Sequence, residues 1–184
     1  MLVAASVVWM TPSAVAGDVA DKAAEAETLL GAGNAAGGFE ALNAAVDAFW
    51  TAAPLTLRQA YFAAPVGVGL AAKRPDGPFL PGEAARVYIE SVGYGLAAAD
   101  GTYTIALDTG IEIRTPGGLV LAKSENFGHL EWKGTVKNRS FNGRISIDLP
   151  ELKAGDYELL LTVEDPASGK STSVTLPFAV AAAN

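Results

Sequence analysis

The chain has 184 residues, half of them hydrophobic, with no cysteine and a formal net charge of −7 at pH 7. This length suits one compact domain with a small appendage. The acidic balance argues against a general affinity for nucleic acid or anionic lipid, because both depend on Lys and Arg contacting phosphates. We therefore expect no nucleic-acid partner, and the absence of cysteine excludes disulfides and thiol chemistry.

Residues 1–16, MLVAASVVWMTPSAVA, have the pattern of a secretory signal peptide. An apolar stretch over residues 2–10 is followed by small residues, which predicts cleavage after Ala16. The stretch is too short to span a bilayer, so we expect a periplasmic or secreted protein with no membrane insertion in its mature form. No Lys or Arg precedes the apolar stretch, and a buried N-terminal helix is the alternative.

Residues 17–54 are predicted to form an α-helical hairpin. Asp18 is the expected N-cap of the first helix, which Gly31 and Gly33 end, and Gly37 is assigned to the turn between the helices. Pro54 stops the second helix. Its apolar stripe consists of Phe39, Leu42, Val46, Phe49, Trp50 and Ala53. Six acids against one lysine make the hairpin acidic.

Part of this segment, AETLLGAGNAAGGFEALNAAVDAFWTAAP, resembles a single tetratricopeptide-type helical hairpin. Repeats of this kind need about three units to bury a continuous core, and the chain has no second copy. A lone hairpin must therefore dock on another surface.

From Leu55 onward, apolar and polar residues alternate with the period of β-strands. The alternation predicts an α+β fold in which an antiparallel Ig-like β-sandwich of about seven strands occupies residues 55–184. The longest run predicts either one long strand or two strands around a bend at Gly110. The expected strands are residues 58–63, 85–92, 103–113, 119–121, 141–149, 157–163 and 174–180.

The last hairpin contains GDYELLLTVEDPASGK, which resembles the penultimate strand and turn of bacterial Ig-like and fibronectin-like domains. The resemblance implies that Tyr157 is a tyrosine-corner residue whose hydroxyl bonds to nearby backbone. Asp165 precedes a proline and is expected to open the turn. The whole arrangement resembles a group of uncharacterised alphaproteobacterial periplasmic proteins, which implies a location and a fold.

Catalytic groups lack partners in this sequence. His129 is the sole histidine, so neither a nucleophile with its base nor a multi-histidine metal centre can be assembled in the usual way. We predict that the chain is not an enzyme, holds no metal and uses no cofactor.

Residues 124–144, SENFGHLEWKGTVKNRSFNGR, carry four basic residues against two acids and are also rich in aromatics. Such a mixture suits an envelope protein or a glycan as partner, because aromatic rings stack and cations donate directed hydrogen bonds. The predicted binding residues are Phe127, His129, Trp132, Lys137 and Arg139. In the alternative interpretation, the aromatics close the core and the charges keep an edge strand from pairing with another molecule.

Two functions follow from these patterns. The first is a non-catalytic periplasmic binding or structural module of the cell envelope. The alternative is a hydrolase or other enzyme with an acidic site between hairpin and sandwich, built from acids such as Asp47, Asp100 or Asp108.

Overall fold

A computed structural model describes residues 13–65 and 72–182 of the chain. Among the described residues, two helices are followed by eight strands in two antiparallel sheets, so the α+β prediction is confirmed. The chain divides between Ala53 and Pro54 into two compact units, a helical unit and a sheet unit. Within the described ranges, no helix has both the length and the apolar character needed to cross a membrane.

In the helical unit, α1 spans Ser13–Gly31 and α2 spans Ala35–Ala52. Asp18 lies inside α1, so the prediction that it is the N-cap is wrong. Residues 14–16 are helix-compatible, and Gly17 costs a helix only about 1 kcal/mol relative to Ala. Residues 1–12 of the predicted signal peptide lie outside the described residues, whereas residues 13–16 belong to α1.

The turn between the helices is short because Asn34 caps α2. Its side-chain oxygen accepts a hydrogen bond of 3.0 Å from the backbone N–H of Gly37. Gly33 has a φ of 78°, a conformation that favours glycine at the end of a helix. The sequence places Gly37 in the loop between the helices, but this residue lies in the first turn of α2, because the Asn34 cap starts the helix at Ala35.

Small residues pack α2 against α1. The buried residues of α2 are Gly38, Ala41 and Ala45. A Cβ atom added at Gly38 would lie 3.1 Å from the carbonyl oxygen of Ala26 in α1, which shows how closely the two backbones approach. The hairpin is therefore held together by backbone proximity more than by large side chains.

The sheet unit contains β1 Thr56–Phe62, β2 Ala85–Val92, β3 Ala97–Ala99, β4 Thr102–Arg114, β5 Val120–Gly134, β6 Asn142–Ile147, β7 Gly155–Asp165 and β8 Lys170–Val180. The first sheet has the order β1-β2-β6. In the second sheet, β4 pairs with β5 along one side and with β3 and then β7 along the other, and β8 continues from β7. The described strands number eight instead of about seven because the sequence pattern does not mark the short β3 that precedes β4. Strand β5 pairs only with β4 among the described strands and is therefore an edge strand.

The core lies between the apolar faces of the two sheets. Alternate residues of β4 and β7 are buried as the sequence predicts, among them Ile105, Leu107, Ile113, Leu159 and Leu161. The side chain of Leu130 in β5 occupies the space that a side chain at position 143 of β6 would need, and Gly143 leaves this space free. The rings of Phe62 in β1 and Phe178 in β8 have centroids 5.9 Å apart. Side chains of one sheet thus contact those of the other.

The hairpin of β7 and β8 forms as the alternation predicts, with Tyr157 opposite Phe178. The hydroxyl of Tyr157 donates a hydrogen bond of 2.8 Å to the carbonyl oxygen of Lys153, so this predicted contact is confirmed. Asp165 opens the turn, also as predicted. Its carboxylate accepts hydrogen bonds from the backbone N–H groups of Ala167 and Ser168.

Candidate functional site

His129 lies on the outer face of the second sheet, the face turned away from the core. It stands directly opposite Asp108 of β4, and its Nδ1 atom is 2.6 Å from Oδ1 of that carboxylate. Both side chains are about half exposed. A polar contact this exposed contributes only ~0 to 1 kcal/mol, so it orients the imidazole without holding the sheet together.

Trp132 lies on the opposite face of the same strand, because residues three apart on a strand point in opposite directions. It is opposite the buried Ile105 and is half-buried. Its indole ring fills the space above Gly134. Trp132 therefore belongs to the inner side of β5.

The other three predicted site residues are dispersed. Phe127 is half-buried in an irregular part of β5. Lys137 and Arg139 follow β5, and the ammonium of Lys137 lies 6.0 Å from the centre of the Tyr103 ring. The structure does not bring these five residues together on one surface, and their shared role in binding stays a prediction.

A depression of about 480 Å³ lies on the outer face of the second sheet, over Gly110. Strands β4, β5 and β7 all contribute to it. Its lining residues are Gly110, Ile111, Glu112, Lys123, Ser124, Glu125, Asn126, Leu160, Thr162 and Glu164.

The depression exists because two irregularities of the sheet coincide. Gly110 has no side chain at an outward-facing position of β4, and a bulge in β5 places residues 125–127 beside it. A Cβ atom added at Gly110 would lie 3.1 Å from the carbonyl oxygen of Glu125 and 3.4 Å from that of Ser124. Backbone oxygens thus border the space that an ordinary residue would fill.

The charge around this depression is acidic. Glu112, Glu125 and Glu164 line it, and Lys123 is the one basic residue in the lining. The ammonium of Lys123 lies 3.0 Å from the carboxylate of Glu125. Their hydrogen bond and opposite charges raise the pKa of Lys123 above its ordinary value. Glu125 is thereby compensated, whereas Glu164 forms no ion pair with any other described residue.

A second depression of about 290 Å³ shares Glu164 with the first and extends to Asp108 and the β7–β8 turn. Asp165 lines it but is almost fully buried. Besides its bonds within the turn, Asp165 accepts a hydrogen bond from the N–H of Gly95. Asp165 therefore ties the turn to the segment before β3, and the accessible acids of this groove are Asp108 and Glu164.

The acids considered for a hydrolytic site are widely separated in sequence and setting. Asp100 is in the turn between β3 and β4 with a φ of 49°, Asp108 pairs with His129, and Asp47 belongs to α2 in the helical unit. Within residues 13–65 and 72–182, no group of three or more His, Asp or Glu side chains is arranged to hold a metal ion.

A third depression, of about 310 Å³, lies beside Arg74 and Phe79. The guanidinium of Arg74 binds the carboxylate of Glu83 and donates to the carbonyl oxygens of Pro75, Gly77 and Pro78. It also lies 4.0 Å from the centre of the Phe79 ring. Arg74 is thus engaged by its own loop, and its role is structural.

The sequence contains a signal for the depression over Gly110, although it matches no known motif. Asp108, Gly110 and Glu112 share the polar parity of β4, so a glycine stands between two outward-facing acids. The sequence has no such signal for the bulge in β5, because residues 125–127 do not differ in pattern from the polar residues around them.

No family model and no curated protein matches the sequence. Among solved structures, the chain is similar to the Pseudomonas fluorescens alkylpurine DNA glycosylase AlkC bound to DNA containing an abasic site analog. The identity is 12%, the TM-score is 0.35, and the match covers 83% of this chain. This chain spans only 40% of the length of that glycosylase.

This finding contradicts two expectations from the sequence. The first is that the chain is a non-catalytic periplasmic binding or structural module of the cell envelope. The second is that it has no nucleic-acid partner. Both expectations are corrected by this match. The second rested on a net charge that averages over the whole chain and does not specify the charge of any one surface. A likeness at this TM-score carries no argument for DNA binding or glycosylase activity of this chain.

Proposed function

We propose that the outer face of the second sheet recognises a cationic group, an amine or a guanidinium, in the depression over Gly110. The observation that carries this proposal is the lining of the depression. Three carboxylates and two backbone carbonyl oxygens border one space, and its single lysine is already paired with one of the carboxylates.

The chemistry of these groups favours a charged donor. Carboxylates accept stronger and shorter hydrogen bonds from ammonium and guanidinium groups than from neutral donors. Leu160 supplies apolar surface within the same lining. The methylene stem of a lysine, an arginine or a polyamine would lie along such a surface while its charged end reached the carboxylates.

A neutral glycan suits this depression less well. Glycan sites commonly offer aromatic rings as rigid stacking surface, and none of the residues that line this depression is aromatic. Glu164, which forms no ion pair with another described residue, would also have to lose water without gaining a counter-charge. A cationic side chain on a peptide and a free polyamine share the favoured chemistry.

The proposal is tested by titrating the full chain with spermidine and, separately, with an acetylated tri-lysine peptide. Backbone NMR shifts of Gly110, residues 124–126 and Thr162 should move on binding. We expect the double variant Glu112→Gln with Glu164→Gln to bind about fivefold more weakly, since each partly exposed ion pair contributes up to about 1 kcal/mol. Spermidine binding without peptide binding would identify a polyamine site.

Asp156→Asn is the matched control. Asp156 is an exposed acid on the same face of β7, about 26 Å along the strand from Glu164 at about 3.3 Å per residue. This variant should bind as the wild type does. The proposal fails if neither probe shifts the named amides, or if the control loses as much affinity as the double variant.

We also propose that the two sheets form an Ig-like sandwich of the fibronectin-like kind. The pairing order supports this assignment, because β1-β2-β6 corresponds to strands A, B and E, and β4-β7-β8 to strands C, F and G, with β5 beside C. The hydrogen bond of Tyr157 lies near the start of the F-like strand, where a tyrosine corner belongs. Non-additive effects of substitutions at Leu130 and Gly143 test whether the sheets face each other.

A further inference from the structure

The longest described strand, β5, lies at an edge of the second sheet. It spans Val120–Gly134 and, among the described strands, pairs only with β4. Its other side therefore presents backbone N–H and C=O groups to which a further strand could bond. Natural edge strands often carry charges or bulges that prevent such pairing, and β5 has both. The pattern of these features decides which strand can pair with β5.

Two large side chains on the inner face of β5 are incompletely covered. Trp132 lies opposite Ile105 of β4, and Leu130 lies opposite Leu107. Both residues of β4 are fully buried, whereas Trp132 and Leu130 are only half-buried. A strand added beside β5 would cover more of these two apolar side chains, and this burial would favour pairing.

A second copy of β5 is complementary to this edge when the two strands pair antiparallel over their whole length. Val120 of one copy then lies opposite Gly134 of the other, and the two-fold axis passes through Phe127. In this register Lys123 lies opposite Glu131 of the second copy, and the symmetry produces this pair twice. Both side chains are about half exposed on the outer face. Opposite charges directly across an antiparallel pair stabilise it.

The same register is also complementary in size on the inner face. Ala122 lies opposite Trp132 of the second copy, and Ser124 lies opposite Leu130. All four residues belong to the inner side of β5, because each is opposite an inward-facing residue of β4. Small side chains therefore leave room for the two large ones that lack cover.

Neighbouring registers are unfavourable. A slide of one residue would place inner-face residues opposite outer-face residues. A slide of two residues would place Lys123 opposite Lys133 in one direction and opposite His129 in the other. Neither arrangement offers Lys123 a carboxylate, and the first sets two ammonium groups against each other. Charge thus selects the register that pairs the whole strand.

We propose that β5 pairs with β5 of a second copy of this chain, so that the two second sheets become one continuous sheet. The bulge at residues 125–127 lies at the two-fold axis and meets the same bulge of the other copy. The regular segments 122–124 and 130–132 pair on either side of it. The charges of the edge exclude other registers while they admit this one. This interface does not rest on the proposed recognition of a cation.

Charge reversal in the full chain tests this register by sedimentation velocity. Lys123→Glu and Glu131→Lys each place like charges opposite each other at both symmetric positions, so each should weaken the dimer at least about tenfold. A mixture of the two variants should form a heterodimer, because their charges are complementary in the same register. The double variant Lys123→Glu with Glu131→Lys should dimerise by itself. Association in the mixture also shows that both single variants fold.

Two further measurements locate the interface on β5. Lys73→Glu makes the same change of charge at an exposed lysine outside β5 and should leave the dimer intact. Amide hydrogen exchange of the wild type should slow in β5 as the protein concentration rises, whereas exchange in β8 should stay constant. Loss of the dimer in Lys73→Glu would assign the effect to net charge and overturn the proposal.

Three other outcomes would also overturn the proposal. The first is a wild-type chain that stays monomeric at every concentration used. The second is a mixture of Lys123→Glu and Glu131→Lys that does not associate. The third is a dimer that Lys133→Glu disrupts and Lys123→Glu does not, since this result would indicate a register with Glu125 opposite Lys133.

Discussion

Two buried tyrosine hydroxyls show how single polar atoms hold irregular segments of the sheet unit. The hydroxyl of Tyr94 donates to the carbonyl oxygen of Asn138 at 2.9 Å and accepts from the N–H of Phe141 at 3.1 Å. Burial raises the pKa of Tyr94, so the hydroxyl stays protonated and able to donate. Tyr157 makes one such bond, to Lys153. One tyrosine therefore satisfies two backbone groups and the other satisfies one.

This difference predicts unequal costs for the same substitution. Tyr94→Phe should lower the free energy of unfolding by about 1 to 3 kcal/mol, because a buried N–H and a carbonyl both lose a partner. Tyr157→Phe should cost about 1 kcal/mol, since it breaks one bond. Urea denaturation of both variants measures the two values. A larger loss for Tyr157→Phe would show that the Tyr94 bridge is weaker than its geometry indicates.

A second residue-scale feature is the pair of Arg74 and Glu83. Glu83 receives two hydrogen bonds from the guanidinium, at 3.0 and 3.1 Å, and a third from the N–H of Leu80. The bond from Arg74 is the main reason that the pKa of Glu83 lies below its ordinary value of 4.5. The ionised carboxylate is thus the form that stabilises the loop over residues 74–83.

The stability from Glu83 should therefore depend on pH. A lowered pKa in the folded state means that the contribution is complete above pH 4.5 and is lost as the pH falls through the folded-state pKa. Glu83→Gln should lower the free energy of unfolding by about 1 to 2 kcal/mol at neutral pH, and the gap to wild type should narrow below about pH 4.5. Glu151→Gln, at an exposed acid, is the control and should show no such gap. A gap that is constant from pH 7 to pH 3 contradicts the role of the carboxylate charge.

At the scale of elements, alternation in the sequence predicts the regular strands well. Strands β4 and β7 bury the parity that their apolar residues mark, because one face of each strand packs on the core and the other meets solvent. In β8 the same parity is buried at Phe178 and Val180 and half-buried at Val174 and Leu176. The C-terminal end of α1 at Gly31 and that of α2 before Pro54 also follow from local signals.

Elements that depend on local capping or on neighbours are not predicted. The Asn34 cap is hidden by the glycines that follow it, and these glycines suggest a long turn instead of a helix start. Strand β3 consists of three alanines, so its sequence has no alternation of apolar and polar residues that would predict a strand. It forms because its backbone pairs with the start of β4. The bulge in β5 depends on how that strand registers against β4, which no local pattern records.

The same limit applies to the candidate site. The sequence singles out His129 because it is the sole histidine, but its partner Asp108 lies on a different strand and is brought close by sheet register. The depression over Gly110 requires β4, β5 and β7 together. Residue types therefore predicted which strands carry polar groups, whereas the grouping of these side chains depends on tertiary pairing.

At the scale of the whole molecule, the sheet unit is defined by contact between two sheets formed from interleaved parts of the chain. Strand β6 joins the first sheet although its neighbours in sequence, β5 and β7, belong to the second. The chain therefore crosses between the sheets before and after β6. Leu130 and Gly143 mark this crossing, because the leucine side chain fills the space that the glycine leaves. Packing across the sheets thus requires a small residue at position 143 for as long as position 130 is large.

This complementarity predicts coupling between the two positions. Gly143→Ala alone should destabilise the protein, since the new methyl group meets a leucine methyl that must move. In a Leu130→Ala background the same change should be neutral or stabilising, which gives a coupling energy of about 1 kcal/mol or more in a double-mutant cycle. Leu160→Ala is the matched control, because Leu160 lines the outer-face depression and should combine additively with Gly143→Ala. Additive effects for Leu130 and Gly143 would mean that the two sheets do not pack through this contact, and the assignment of a facing-sheet sandwich would lose its support there.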